Sequence, residues 1–443
     1  MSIMNPATIH GARAMALATS VLVFSGCATF GERTGEIERS VAAQQPQAAL
    51  QQLEKLDLGE RDRVLYLMNR GLLERMAGDI PASTKTLEEA KKRIDELYAT
   101  SVREQTLSFV VNDASKSFAG DEFEQVLVNL YLALNYLERH ELEAARVEAL
   151  QIDVRLREIA SQVSESVYTE DAFARYLTGI LFEERAEWSD AMISYRQAYE
   201  AYRAYANKFG TAMPETLKHD LVRLADKMGL DQEAARYRKE FGIKQTLSAQ
   251  ALRDQGELIF TLHSGLAPRK VENSVTVMSP TTGRLLRLAL PDYRARAQPV
   301  AYARLTVGGH KAVTTRVEDV EAIAIKTLKA RMAGITARAL ARMAAKDKIA
   351  KETSDRSSPL AGLVMNVANT ASERADTRSW FLLPGHIDLA RLPLAPGRHR
   401  AQIELLSQEG HVLQVKDVDI EIRPGAKTYL SHHWVPSYLE ARR

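Results

Sequence analysis

From Gln47 to about Phe241, apolar residues recur every three or four positions in a chain rich in Ala, Leu, Glu, Arg and Tyr. That period predicts helix throughout. Pro81 and Pro214 are the interruptions, and both suit the first turn of a helix. After Gly242 the period changes. Leu258–His263 is a short apolar run ending at Ser264-Gly265, while Ser274–Met278 and Ala301–Val307 alternate with period two. Ser279-Pro280 and Gly308-Gly309 supply turns. Strand patterns resume at Arg378–Leu382, His399–Leu406, Val412–Arg423 and Lys427–Trp434. Between them, Ile325, Leu328, Met332, Ile335, Ala339 and Met343 fall on one face of a helix, flanked by Lys326, Lys329, Arg331, Arg338, Arg342, Lys346 and Lys348. Glu352–Pro359 then reads as a polar loop, and Leu360–Ala371 as an apolar helix too short to cross a bilayer. The expected fold class is multidomain α and β: a helical domain at 47–245, then a β-sandwich-like domain at 250–440 with a helical insertion at 317–373.

The helical half carries an internal echo. Gly71, Ala133 and Gly179 are each followed twelve residues later by a small residue, Ser83, Ala145 and Ala191. Sixteen later come Leu87, Ala149 and Tyr195; nineteen later, Ala90, Ile152 and Ala198. This spacing resembles the tetratricopeptide repeat, in which small residues let two antiparallel helices pack closely. The copies are 62 and 46 residues apart, against about 34 in a regular array. An irregular solenoid with a concave binding face and a closed helical bundle both fit. Tyr195, Tyr199, Tyr202 and Tyr205 form one helical stripe, readable as core packing or as a peptide-binding surface.

The N-terminus has a different texture. Ala14–Phe24 is an apolar run after Arg13, and it closes in Ser25-Gly26-Cys27, the only cysteine of 443 residues. Eleven apolar-rich residues cannot span a bilayer. The stretch resembles a bacterial lipoprotein signal peptide at 1–26, with Cys27 as the lipidated mature N-terminus and 27–46 as a polar linker. By that resemblance Phe24 departs from the usual leucine, and Ala28 implies the periplasmic face of the outer membrane. Gly120–Leu127, Tyr131–Leu137, Ala144–Glu148 and Leu262–Lys270 are similar to an uncharacterised family of proteobacterial envelope lipoproteins with tetratricopeptide-like repeats, which implies architecture rather than a reaction.

Composition narrows the chemistry. A net charge of +2 gives no general argument for nucleic acid. With Cys27 lipidated no thiol remains, which removes cysteine catalysis and cysteine-ligated zinc. The histidines show no metal spacing, and His432-His433 should face opposite sides of a strand. His263-Ser264 reads as a strand end rather than a nucleophile and its base. Asp121, Glu122 and Glu124 fit either acid–base chemistry or a helix start, where carboxylates meet the positive end of the dipole. The expected function is a non-enzymatic scaffold in cell-envelope assembly, with no cofactor or metal. Its partners would be the membrane, through the lipid, and other envelope proteins. An envelope-polymer-acting enzyme and a self-assembling structural subunit are the alternatives. The basic face at Lys326, Lys329, Arg331, Arg338, Arg342 and Lys346 is either a partner or membrane surface, or a helix packed with its charges in water.

Overall fold

The structure is a computed structural model and describes residues 30–103, 116–162, 167–279, 283, 285–356 and 373–437. Cys27 and the apolar stretch Leu360–Ala371 lie outside them. The helical part is a run of consecutive pairs: α1 (Phe30–Ala42) with α2 (Pro46–Lys55), α3 (Arg63–Met76) with α4 (Ile80–Arg103), and α5 (Glu122–Glu138) with α6 (Leu142–Gln162). Then follow α7 (Ala172–Glu184) with α8 (Trp188–Lys208), and α9 (Glu215–Lys227) with α10 (Asp231–Phe241).

All five pairs turn in the same way. Gln44, Gly78, His140, Ala186 and Gly229 each adopt a positive φ between 58 and 84°. The residue after each donates its N–H to the carbonyl five positions back, as in Asp79 to Glu74 and Glu187 to Phe182, both at 2.9 Å. This turn satisfies helix-end carbonyls that would otherwise lack donors. Only two of the five left-handed positions are glycine, so three residues carry a backbone strain that glycine would avoid.

The glycines inside the helices have another task. A Cβ on Gly71 would lie 2.6 Å from Cγ of Leu87, and one on Gly179 would overlap the ring of Tyr195. The small residue is therefore the socket for the large one sixteen positions on. Tyr195, Tyr199, Tyr202 and Tyr205 are all buried, so the tyrosine stripe is core.

Helix α1 departs from the expected polar linker. Ile37 and Val41 are buried with the helical core, and the carboxylate of Glu38 is buried between the guanidinium groups of Arg269 and Arg296. Phe30, Thr34, Ile37 and Val41 fall on one helical face, a pattern masked in the sequence by Gly31, Gly35 and the intervening charges.

After the short helix α11 (Ala249–Asp254), strands β1 (Gly256–Ser264), β2 (Arg269–Met278), β3 (Leu285–Arg294), β4 (Tyr302–Val307), β5 (His310–Val313) and β6 (Thr315–Asp319) precede α12 (Val320–Arg356). Strands β7 (His386–Leu394), β8 (Gly397–Leu406), β9 (Val412–Ile422) and β10 (Lys427–Trp434) follow it. One sheet has the order β10-β1-β7-β6 and another β5-β4-β8-β9, while β2 and β3 form a separate hairpin. Arg378–Leu382 is not a strand: Leu383 N–H donates to Trp380 O in a turn, and Trp380 to Leu383 are buried. Their apolar run resembles a strand because it is buried, although its backbone turns back. Helix α12 is continuous for 37 residues, through the expected polar loop to Arg356, a length of about 55 Å.

Strand β1 is buried at all nine positions. Leu258, Phe260 and Leu262 join Leu305, Ile403 and Ile422 in a cluster between the two four-stranded sheets. Ile259 points the other way, into the helical core. The layers are therefore helix pairs, first sheet and second sheet.

Replacing Gly179 with Ala is expected to lower stability by about 1–3 kcal/mol, the usual range for overpacking. Urea unfolding of Gly179→Ala, Tyr195→Leu and the double variant is the check: the double should lose less than the sum of the singles.

Candidate functional site

In a helical-pair array the first helices line the inner face, where a partner would sit. Here that face is occupied by the chain itself. Trp380, Phe381, Leu382, Leu383, Ile387 and Leu389 belong to the same apolar cluster as Leu72, Leu130 and Leu177 of α3, α5 and α7. Three polar groups fix this filling in register.

The first is at the start of α5. Glu124 Oε2 accepts the Asp121 N–H at 2.7 Å, closing a capping box, and its Oε1 accepts the Trp380 N–H at 2.7 Å. Asp121 Oδ2 accepts from Lys270 Nζ at 2.9 Å and from the Tyr293 hydroxyl at 3.2 Å. Burial and the charge of Asp121 push Glu124 up to about 8, beyond what Lys270 and the two N–H donors recover. Asp121 is instead held below the usual carboxylate range, because Lys270 and Arg331 outweigh its burial. The acids that an acid–base mechanism would use are thus engaged in docking the irregular segment and the β2–β3 hairpin onto α5.

The second group is a buried polar column. Arg75 of α3 binds Asn135 and Glu138 of α5 and donates to Ser431 Oγ of β10 at 2.6 Å. The Tyr131 hydroxyl lies 3.1 Å from His263 Nδ1, and the rings of His263 and His433 stack with centroids 4.3 Å apart. Burial, with the positive charge of Arg75, holds both histidines well below their ordinary range, so both are neutral at pH 7. His263 Nε2 faces Thr261 at 3.2 Å rather than Ser264, so no nucleophile and base pair forms there. His433 faces the helices and His432 faces Gln414 and Lys416 of β9, the opposite faces that strand alternation requires.

The third group joins α7 and α9 to β1, β7 and β10. The Arg391 guanidinium grips Glu257 with two bonds of 2.8 and 2.7 Å, and also reaches Asp220 and Glu183. Arg223 donates to Asp220 at 2.8 Å and lies 2.5 Å from Glu183, while Lys427 Nζ lies 2.7 Å from Glu257. Three carboxylates meet three cations, so the cluster is neutral although buried. Burial alone would raise the acids; Arg391 and Lys427 bring Glu257 down to about 2, and Lys427, Arg223 and Arg391 hold Glu183 well below its ordinary value.

The basic helix divides. Arg331 lies 3.6 Å from Asp121 and 3.5 Å from Glu122, and Arg342 and Lys346 lie 3.5 and 2.7 Å from Glu373. Lys326, Lys329 and Arg338 are exposed. The face with Leu328 and Ala339 is the packed one, and α12 lies along β3. No cluster of three or more His, Cys, Asp or Glu suited to a metal ion occurs among the described residues. No described helix is long and apolar enough to cross a membrane.

No family model matches the chain, and no curated protein matches it. Solved structures similar to it include MamA from Desulfovibrio magneticus RS-1, at 11% identity over 47% of this chain and 90% of that one, with a TM-score of 0.29. A Podosopora anserina putative kinesin light chain with TPR-like repeats shows 15% identity over 47% and 90%, with a TM-score of 0.30. BtubC from P. vanneervenii shows 14% over 48% and 79%, also at 0.30. Scores this low add nothing to what the five helix pairs show by themselves.

Two outcomes follow from these clusters. Arg391→Ala leaves three buried carboxylates sharing two cations, Arg223 and Lys427, and should cost about 3–5 kcal/mol, with Arg391→Lys costing less; denaturant midpoints and protease nicking between the layers read both. Glu124 ionises at a higher pH folded than unfolded, so its contribution is full below about pH 4.5 and is lost as pH rises through about 8. Urea midpoints measured from pH 5 to 8 should therefore fall more steeply for the native chain than for Glu124→Gln.

Proposed function

We propose that the chain is a lipid-anchored interaction scaffold of the bacterial envelope, attached through Cys27 at the periplasmic face of the outer membrane. The observation that carries the scaffold reading is the stack of five helix pairs sharing one turn geometry, an architecture whose faces serve partner proteins. The strand-rich part, read as a β-sandwich, fills the inner face and stiffens the array, which leaves partners the outer helices. Val147, Leu150 and Val154 stand on one side of α6 and are 51, 41 and 37% exposed. An apolar stripe held in water is the kind of surface a partner covers. Lys326 and Lys329, one turn apart on α12, leave a smaller cationic face for an anionic membrane. No reaction is assigned, because Asp121 and Glu124 are engaged in docking.

Crosslinking in cells tests both parts. With Leu150→Glu and Val154→Glu together, the principal crosslinked neighbours should fall at least fivefold while the melting temperature holds. With Cys27→Ser, the protein should leave the membrane fraction. Unchanged neighbours in the first variant would overturn the scaffold surface; unchanged membrane association in the second would overturn the anchor.

A further inference from the structure

Where the helical layer, β10 and β9 meet, their packing leaves a cleft of about 600 Å³, within the range of small-ligand and peptide sites. Ser431, His432 and His433 of β10 form one wall, Gln414 and Lys416 of β9 another, and the α3–α4 turn with Arg75 a third.

Three features of these walls are incomplete. First, β10 is the outermost strand of its sheet. Gly265 N–H donates to Trp434 O at 2.8 Å, so Trp434 and every second residue before it turn their main chain to β1. Lys427, Tyr429, Ser431 and His433 turn theirs outward. Lys427 N–H is taken by Glu184 Oε1 at 3.1 Å, but Ser431 and His433 have no main-chain partner on that side among the described residues. Second, neither ring nitrogen of His433 has a hydrogen-bond partner among the described residues, although both are buried. A neutral imidazole there presents one donor and one acceptor without mates. Third, the cleft's cations outnumber its anions. Glu138 is engaged by Arg75 and by the Ser431 hydroxyl at 2.5 Å. Lys416 faces only His432 Nδ1, at 3.4 Å, and has no carboxylate partner among the described residues.

We propose that this cleft receives an extended peptide from a partner protein, which pairs with the open edge of β10 at Ser431 and His433 and sets a carboxylate against Lys416. An open strand edge supplies direction and main-chain bonds, and side-chain pockets supply selectivity. The peptide's main chain bonds to the open N–H and C=O groups of Ser431 and His433, and an acidic side chain or C-terminus neutralises Lys416. The helical groove cannot take this role, since Trp380 to Leu383 already fill it. The proposal deepens the scaffold reading and rests on it.

The test selects a random octapeptide library, displayed with free carboxy termini, against the full chain in detergent. Selected peptides should be rich in Asp or Glu beside β-branched residues. As free peptides they should bind at least tenfold more weakly to Lys416→Glu. Methylating alternate peptide nitrogens should lose at least tenfold. Absence of enrichment, retention of affinity within twofold in Lys416→Glu or after N-methylation, or full displacement by millimolar succinate would overturn the proposal, the last by showing a small-anion site. If those outcomes occur while the Leu150 and Val154 variant still loses its neighbours, the scaffold reading stands and this site falls.

Discussion

A strand whose nine residues are all buried must be covered on both faces, and β1 imposes that condition on the rest of the molecule. Its even-numbered apolar residues require the second sheet, and its odd-numbered ones require the helices. The odd positions include Glu257, Thr261 and His263, which are polar, so the helical side has to bring hydrogen-bonding partners as well as apolar area. It does so from separate helices: Tyr131 of α5 meets His263, and Asp220 of α9 and Glu183 of α7 meet the arginine that holds Glu257. Oil alone would let two layers slide. Ion pairs and directed hydrogen bonds between α7, α9 and β7 allow one register.

A repeat array has uniform neighbour contacts and bends readily along its length. Here each first helix from α3 to α9 is tied to the strand-rich part: Asn69 and Glu124 bind the turn at Trp380 to Leu382, and Glu183 and Asp220 bind Arg391 of β7. The array therefore has a fixed curvature set by the sheet beneath it. The irregular intervals of 34, 62, 46 and 43 residues between the left-handed turns are tolerated because register comes from these cross-ties rather than from identical repeat-to-repeat contacts.

The local features were legible in the sequence and the long-range ones were not. Gly71 with Leu87, and Gly179 with Tyr195, announced helix pairs because both partners lie within one hairpin and obey fixed spacing. Leu258–His263 announced a strand by its short apolar run. By contrast, Glu183, Asp220 and Arg391 have the character of surface residues until folding brings them together, and no local pattern distinguishes a buried neutral cluster from solvated charges. The same holds for Arg331, Arg342 and Lys346, whose partners Asp121, Glu122 and Glu373 stand elsewhere in the chain. Helix α1 was hidden by its charges, one of which, Glu38, is buried with two arginines more than two hundred residues away.

The pairing of β1 with β10 joins Glu257 to Lys427 and Ser264 to Trp434, across some 170 residues of intervening chain. Both strands lie after the helices in order of synthesis. The helical pairs are therefore made before β1, the turn at Trp380 to Leu383, β7 and β10, the segments that cover the inner face of α3, α5, α7 and α9. During that interval the nascent chain is an open receptor for any passing extended segment, and closure by its own C-terminal strand is a competition that the covalent connection favours by effective concentration. Chain order thus places every segment that closes the inner face after the helices it covers.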